Sequence, residues 1–184
     1  MRPQKISRDE LLQRCAATFK RYGYHGTSMD MLASACELTK ASFYHHYPNK
    51  EALARDVLQR THAVVNEALF AIAYDDGATP QDRLQRMNHK AKKLFMGDAV
   101  GCLMGVIAID ATYAVPELMP PIRHFIDDWA AALAHLFATR WPEAEARQLA
   151  RQTVADFEGA ILLSRIDGTG DYFDRVCERV AGYL

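Results

Sequence analysis

Residues 27–53 read TSMDMLASACELTKASFYHHYPNKEAL, two short helical segments either side of a tight break, closed by a proline. No other stretch constrains the chain as much. In the first segment Met29, Leu32 and Ala33 fall at i, i+3 and i+4 and make one apolar stripe, with Ser28 placed to cap it. Thr39 caps the second, in which Leu38 and Phe43 turn inward while Lys40, Ser42, Tyr44 and His45 do not. Pro48 ends it by disfavouring helix at Tyr47. Two helices so patterned bury one face against each other and leave the outer face of the second free to enter a major groove, the demand of a helix-turn-helix.

With that helix in the groove, the contact residues are Thr39, Lys40, Ala41, Ser42, Tyr44 and His45. Lys40 donates to guanine edges or to a phosphate, Thr39 and Ser42 reach an edge only if the backbone sits deep, and Ala41 meets a thymine methyl. Thr27 and Ser28 are placed to bond backbone oxygens from the first short helix. Phe43 and Tyr47 are assigned to the junction with neighbouring helices, and His46 is assigned to structure. Adjacent helical residues diverge by about 100 degrees, so His45 and His46 share no ion, and no metal site is expected. Residues 1–60 hold ten Lys/Arg against six Asp/Glu, while the remainder holds twelve against seventeen, so the basic excess lies with the reader.

Almost every segment after Ile6 has helical periodicity, and no alternating run is long enough for a strand; the expectation is an all-α chain of about nine helices. A three-helix reader over residues 1–50 precedes a helical regulatory and dimerisation domain over 51–184. The first helix spans Ser7 to Tyr22, with Leu11, Leu12, Cys15, Phe19 and Tyr22 buried and Gly23 as its stop. After Asn49, a long helix with Leu53, Val57, Val64, Leu69 and Ile72 bridges reader and body to about Tyr74. Thr79-Pro80 opens the next, with Leu84, Met87, Ala91, Leu94 and Phe95 on one stripe. A short apolar helix over 102–113, an amphipathic one over 122–140, and a hairpin of two helices on either side of Asp167-Gly168-Thr169-Gly170 complete the chain.

The reader's residue order resembles the DNA-binding headpiece of the TetR/AcrR family of bacterial transcriptional regulators. The resemblance covers roughly the first sixty residues, through Phe19, Gly23, Gly26, Thr27, Leu32-Ala33, Leu38-Thr39, Phe43-Tyr44, His46-Tyr47, Lys50-Glu51 and Leu53. It departs at Cys36-Glu37, where the family has Ala-Gly, so the turn either keeps a negative φ or carries strain of about 1 kcal/mol. The resemblance implies that Tyr44 binds phosphate and that Lys50 clamps one. It implies a homodimer formed as a four-helix bundle by the terminal hairpin, through Leu149, Val154, Phe157, Gly159, Ala160, Ile161, Phe173, Val176 and Val180. It also implies a small-molecule effector held among the middle helices. The large side chains there are Phe70, Tyr74, Met87, Met104, Ile107, Tyr113, Phe125 and Trp129, with Asp110 as a polar anchor.

The expected partners are thus a palindromic duplex with half-sites about one turn apart, a second copy of the chain, and an effector that releases the repressor. A thiol-sensing version of the same regulator would use Cys102 or Cys36. A helical interaction module that binds no DNA is the remaining alternative. No Gly-rich phosphate loop, Gly-x-Ser-x-Gly elbow or His-Glu-x-x-His helix is present, so neither an enzyme nor a cofactor is expected. No apolar run approaches the 18 to 20 or so residues that span a bilayer, and MRPQKISRDE lacks the apolar centre of a secretion signal. The expected compartment is the cytoplasm, with the four cysteines reduced.

Overall fold

The computed structural model describes residues 6–184, so part of the amino-terminal stretch read for a secretion signal lies outside it. Among the described residues the chain is all-α: α1 (Arg8–Tyr22), α2 (Met29–Ala35), α3 (Lys40–His46), α4 (Lys50–Ala68), α5 (Pro80–Phe95), α6 (Leu103–Ala111), α7 (Met119–Phe137), α8 (Glu143–Asp167) and α9 (Asp171–Ala181). Short 3-10 turns lie at Phe70–Tyr74 and Pro116–Leu118. No helix of the described residues is long and apolar enough to cross a membrane.

The helix starts follow from local chemistry. Ser7, Ser28, Thr39 and Thr79 each accept a hydrogen bond from the backbone N–H three residues on, and the side chain of Asn49 accepts from Ala52 in the same way. Each satisfies a donor the helix itself leaves unpaired. Gly23 stops α1 with φ 75, in the region only glycine enters freely. The amphipathic helix α7 begins at Met119, three residues before its expected start, because Pro120 and Pro121 suit a first turn whose N–H groups are unpaired anyway.

The chain forms two compact units, residues up to Ala63 with Leu103–Ile122, and Val64–Cys102 with Arg123–Leu184. In the first, Leu11, Leu12, Cys15, Phe19, Leu32, Phe43, Leu53 and Val57 form the core, joined by Met104 and Ile107 of α6. Tyr22, expected inside, is half exposed, because α1 already spends its inner face on Leu11, Cys15 and Phe19. In the second unit an aromatic stack runs from Phe70 against Phe125, with ring centroids 5.3 Å apart, through Trp129 to Phe157 at 5.7 Å and on to Phe173 at 4.9 Å. Rings at such spacing contribute about 0.5–1.5 kcal/mol per pair beyond their buried area. Val64 and Leu94 lie outward, and Val65 takes the inward place expected of Val64.

One half-buried acid of the second unit has a carboxylate oxygen shut off from solvent. Glu158 is hydrogen-bonded by the Cys102 thiol, while its Oε1 is buried with no partner. Burial holds its pKa above the ordinary carboxylate value, and the Cys102 bond only partly offsets that. A raised folded-state pKa favours the fold fully below the unfolded value near 4.5, and that advantage is lost as pH climbs toward the folded one. Glu158→Gln is therefore expected to flatten the decline of stability above that pH, with little change at pH 4. Thermal melts of both proteins from pH 4 to 8 check this.

Candidate nucleic-acid interface

Helix α3 is seven residues long, and only Phe43 within it is buried. Its outer surface presents Lys40, Ala41, Tyr44, His45 and His46, all exposed, with half-buried Ser42 beside them and exposed Thr39 at the amino end. His46, expected to be structural, is thus exposed along with His45. Phe43 packs fully inside, and Tyr47 is 7% exposed with its hydroxyl donating to Asp56 at 2.7 Å. Asp56 also accepts from Arg8 at 2.7 Å, so the exit of α3 is tied to both α1 and α4.

The α2–α3 turn adopts the strained alternative. Glu37 has φ 56, the left-handed region, where a side chain costs about 1–2 kcal/mol. What holds it there is a set of bonds: the Glu37 N–H donates to the Ser34 carbonyl and the Leu38 N–H to the Ala33 carbonyl, each at 3.0 Å. Arg14 donates to the Ala35 carbonyl at 3.2 Å and to the Glu37 carboxylate at 2.8 Å.

Two residues expected to touch phosphate are turned to other work. Thr27 is 1% exposed, and its hydroxyl donates to the Gly23 carbonyl at 2.6 Å, closing the α1–α2 loop. Lys50 directs its ammonium into the protein, donating to the carbonyls of Tyr24 at 2.7 Å and Thr27 at 2.9 Å, with the Tyr24 ring centroid 4.3 Å away. Burial lowers its pKa, and the Asp110 charge opposes that shift. Ser28 stays exposed at the surface while capping α2. Lys40 is held by Asp30 of α2 at 2.9 Å, both side chains about two-thirds exposed. Asp30 was not singled out from sequence, since an acid in the first turn of a helix reads as ordinary dipole complementation.

The residues expected to hold an effector fall in both units. Met104 and Ile107 are core of the first; Phe70, Met87, Phe125 and Trp129 are core of the second. Tyr74 is half exposed with its ring 4.6 Å from that of His135, and Tyr113 stands 98% exposed. Asp110 faces the reader: its carboxylate accepts from the His25 backbone N–H at 2.6 Å, and a Cβ on Gly23 would lie 2.9 Å from it. An open cleft of about 500 Å³ in the second unit runs instead between α5 and α9, past Leu84, His89, Lys92, Asp174 and Cys177.

The hairpin residues expected at a dimer contact are largely interior to one protomer. Val154, Phe157, Ala160, Ile161, Phe173, Val176 and Val180 are all buried, because α8 and α9 pack on each other and on the aromatic stack; Leu149 is half-buried. Of the expected residues Gly159 faces outward, in an apolar stripe of α8 with Leu162, Leu163 and Ile166, at i, i+3, i+4 and i+7. Leu162, Leu163 and Ile166 are 50%, 43% and 67% exposed, and nothing lies within 4 Å of where a Cβ on Gly159 would stand.

Residues 11–57 match the model of bacterial regulatory proteins of the tetR family, and residues 80–179 match the C-terminal domain of LmrA/YxaF-like transcriptional regulators. The HTH-type transcriptional repressor DhaR of Mycobacterium sp. (strain GP1) is 25% identical over 91% of this chain and 87% of its own. HTH-type transcriptional repressor NemR of Escherichia coli K12 is 23% identical over 72% and 65%. A TetR regulator from Legionella pneumophila superposes with a TM-score of 0.89 over all of both chains at 20% identity. AibR, crystallised with isovaleryl coenzyme A and operator DNA, superposes with a TM-score of 0.64 over 95% of each chain at 23% identity. An exposed, polar third helix held on a three-helix head, joined to a matching regulatory domain, places this chain in the tetR family of bacterial DNA-binding transcriptional regulators.

Proposed function

We propose that the protein is a homodimeric repressor that holds a palindromic operator through two copies of α3 and lets go when a small molecule binds its body. The observation that carries this is the face of α3, where Lys40, Ala41, Tyr44 and His45 are exposed while Phe43 is the one buried residue of the helix. The α8 stripe supplies a self-complementary surface for a two-fold partner, and two-fold symmetry gives half-sites about 34–36 Å apart. Tyr44 meets a phosphate, Lys40 a base edge or a phosphate, and the exposed N-terminal end of α3 adds its N–H groups to the backbone contact. Release requires only that an effector bind the DNA-incompatible arrangement better, by a coupling of about 1–3 kcal/mol. The AibR complex sets a precedent for a protein of this fold with both isovaleryl coenzyme A and operator DNA.

The test is fluorescence anisotropy with labelled duplexes tiled across the DNA beside the protein's own gene. One palindromic duplex is expected to bind well above the rest. Tyr44→Ala should weaken all duplexes about equally, by roughly 1–2 kcal/mol for a charge-assisted phosphate bond, whereas Lys40→Ala should shift the order of preference among sequences. Equal binding of every duplex by the unaltered protein would remove the operator from this reading.

A further inference from the structure

Two thiols face each other inside the reader. Cys15 on α1 and Cys36 at the carboxyl end of α2 lie with their sulfurs 3.7 Å apart, 0% and 2% exposed. They are separated by 21 residues in sequence and belong to the same compact unit. In the resting thiol form Cys36 also faces the Leu11 carbonyl, 3.8 Å from its sulfur. Neither residue takes part in reading DNA, and a core position needs no pair of thiols.

Their location gives the pair leverage. Cys36 caps α2 and is followed at once by Glu37, the one non-glycine residue among those described with a positive φ. A disulfide needs its sulfurs about 2.05 Å apart, so bonding these two draws α1 and the end of α2 together by up to about 1.6 Å. That pull acts on the turn that sets α3 against α2, and DNA recognition tolerates little displacement of the reading helix.

The pair is also asymmetric. The hydrogen bond to Cys15, helped by the nearby Arg14 charge, lowers the pKa of Cys36 against the opposing effect of burial, whereas that of Cys15 is raised. Cys36 is therefore the sulfur that attacks first. An oxidant reaches it when α2, a helix of only seven residues, opens.

We propose that Cys15 and Cys36 form a modification site, at which an oxidant of the hydroperoxide class makes an intrachain disulfide that moves the reader out of register with DNA. The Cys36 thiolate attacks one peroxide oxygen, the O–O bond breaks, and with a proton the products are a Cys36 sulfenic acid and water. Cys15 sulfur then attacks Cys36 sulfur, its proton leaves with the departing hydroxide as a second water, and the S–S bond closes. Two thiols lose two electrons and two protons, and one peroxide becomes two waters.

The experiment treats the full chain with hydrogen peroxide and reads three things: the cysteine cross-link by peptide mapping, anisotropy with a DNA duplex at low salt, and hydrogen exchange across residues 39–47. The expected result is a Cys15–Cys36 cross-link, at least a tenfold loss of DNA affinity, and faster exchange in α3. All three should reverse with dithiothreitol, which does not reduce oxidised methionine, and persist in Cys102→Ala/Cys177→Ala. Cys15→Ala/Cys36→Ala should be indifferent to peroxide; should that variant not fold, the wild-type cross-link map and the reversal decide alone. The proposal is overturned if another pair cross-links, if none forms, or if the cross-linked protein binds and exchanges as the reduced one does. A protein that binds no duplex even when reduced would count against the repressor reading, whereas the cross-link and the exchange of α3 would still judge this one.

Discussion

Replacing Leu163 and Ile166 together with glutamate is expected to give a folded monomer with at least a hundredfold lower affinity for a palindromic duplex. Both side chains are largely exposed in the single chain, at 43% and 67%, so charge there costs the protomer little. Across the two-fold axis of the proposed dimer, by contrast, the same stripe would meet its own copy. Four carboxylates would then be buried in an apolar contact without partners, at a cost of several kcal/mol. Two tethered readers bind a palindrome more tightly than one by about 10²–10⁴, and that advantage disappears with the dimer. Sedimentation, a thermal melt and anisotropy read assembly, fold and affinity separately. A double variant that still sediments as a dimer, or binds within threefold of wild type, would move the interface off α8. Phe157→Glu is the instructive contrast: it buries a charge inside the aromatic stack and should unfold the second unit rather than divide a dimer.

The comparison of stripes shows what could be read in advance. The hairpin has two apolar faces, one of them carrying Phe157, Ile161 and Phe173; which face is left for a partner depends on what the rest of the same chain has already covered. Leu162, Leu163 and Ile166 stood at helical spacing throughout, so the signal was there, but periodicity alone does not rank two faces. In the reader, legibility was high wherever a rule is local. The caps at Ser28, Thr39, Asn49 and Thr79, the stop at Gly23 and the inward turn of Phe43 follow from residue type and offset. Thr27, Lys50 and Asp110, expected at phosphate or effector, are all polar residues whose partners in the fold are backbone groups distant in sequence or across a loop. A pattern of side chains does not encode a carbonyl left unpaired by a turn. Cys15 facing Cys36 was equally out of reach, since their approach depends on how α1 packs against α2.

Lys50→Met is expected to destabilise the reader by about 2–3 kcal/mol, the cost of removing a charged donor from partly buried acceptors. The Tyr24 and Thr27 carbonyls both lose their ammonium, and the Tyr24 ring loses its cation. Asp110→Ala acts on the same loop from the other side by freeing the His25 N–H, at about 1–2 kcal/mol. Because the two grips hold one five-residue loop, Gly23 to Thr27, its release by either leaves less for the other to lose. The double variant should therefore fall short of the sum by about 1 kcal/mol, whereas strict additivity would show two independent sites. DNA binding separates this role from a phosphate contact. A lysine on phosphate, once removed, lowers affinity with the melt unchanged and reduces the salt slope by about one. A lysine that fixes the loop lowers the melt, leaves the salt slope alone, and speeds hydrogen exchange at residues 24–28, where the grip is lost. Observation of the first pattern would return Lys50 to the DNA surface and leave the α1–α2 loop held by Asp110 and Thr27 alone.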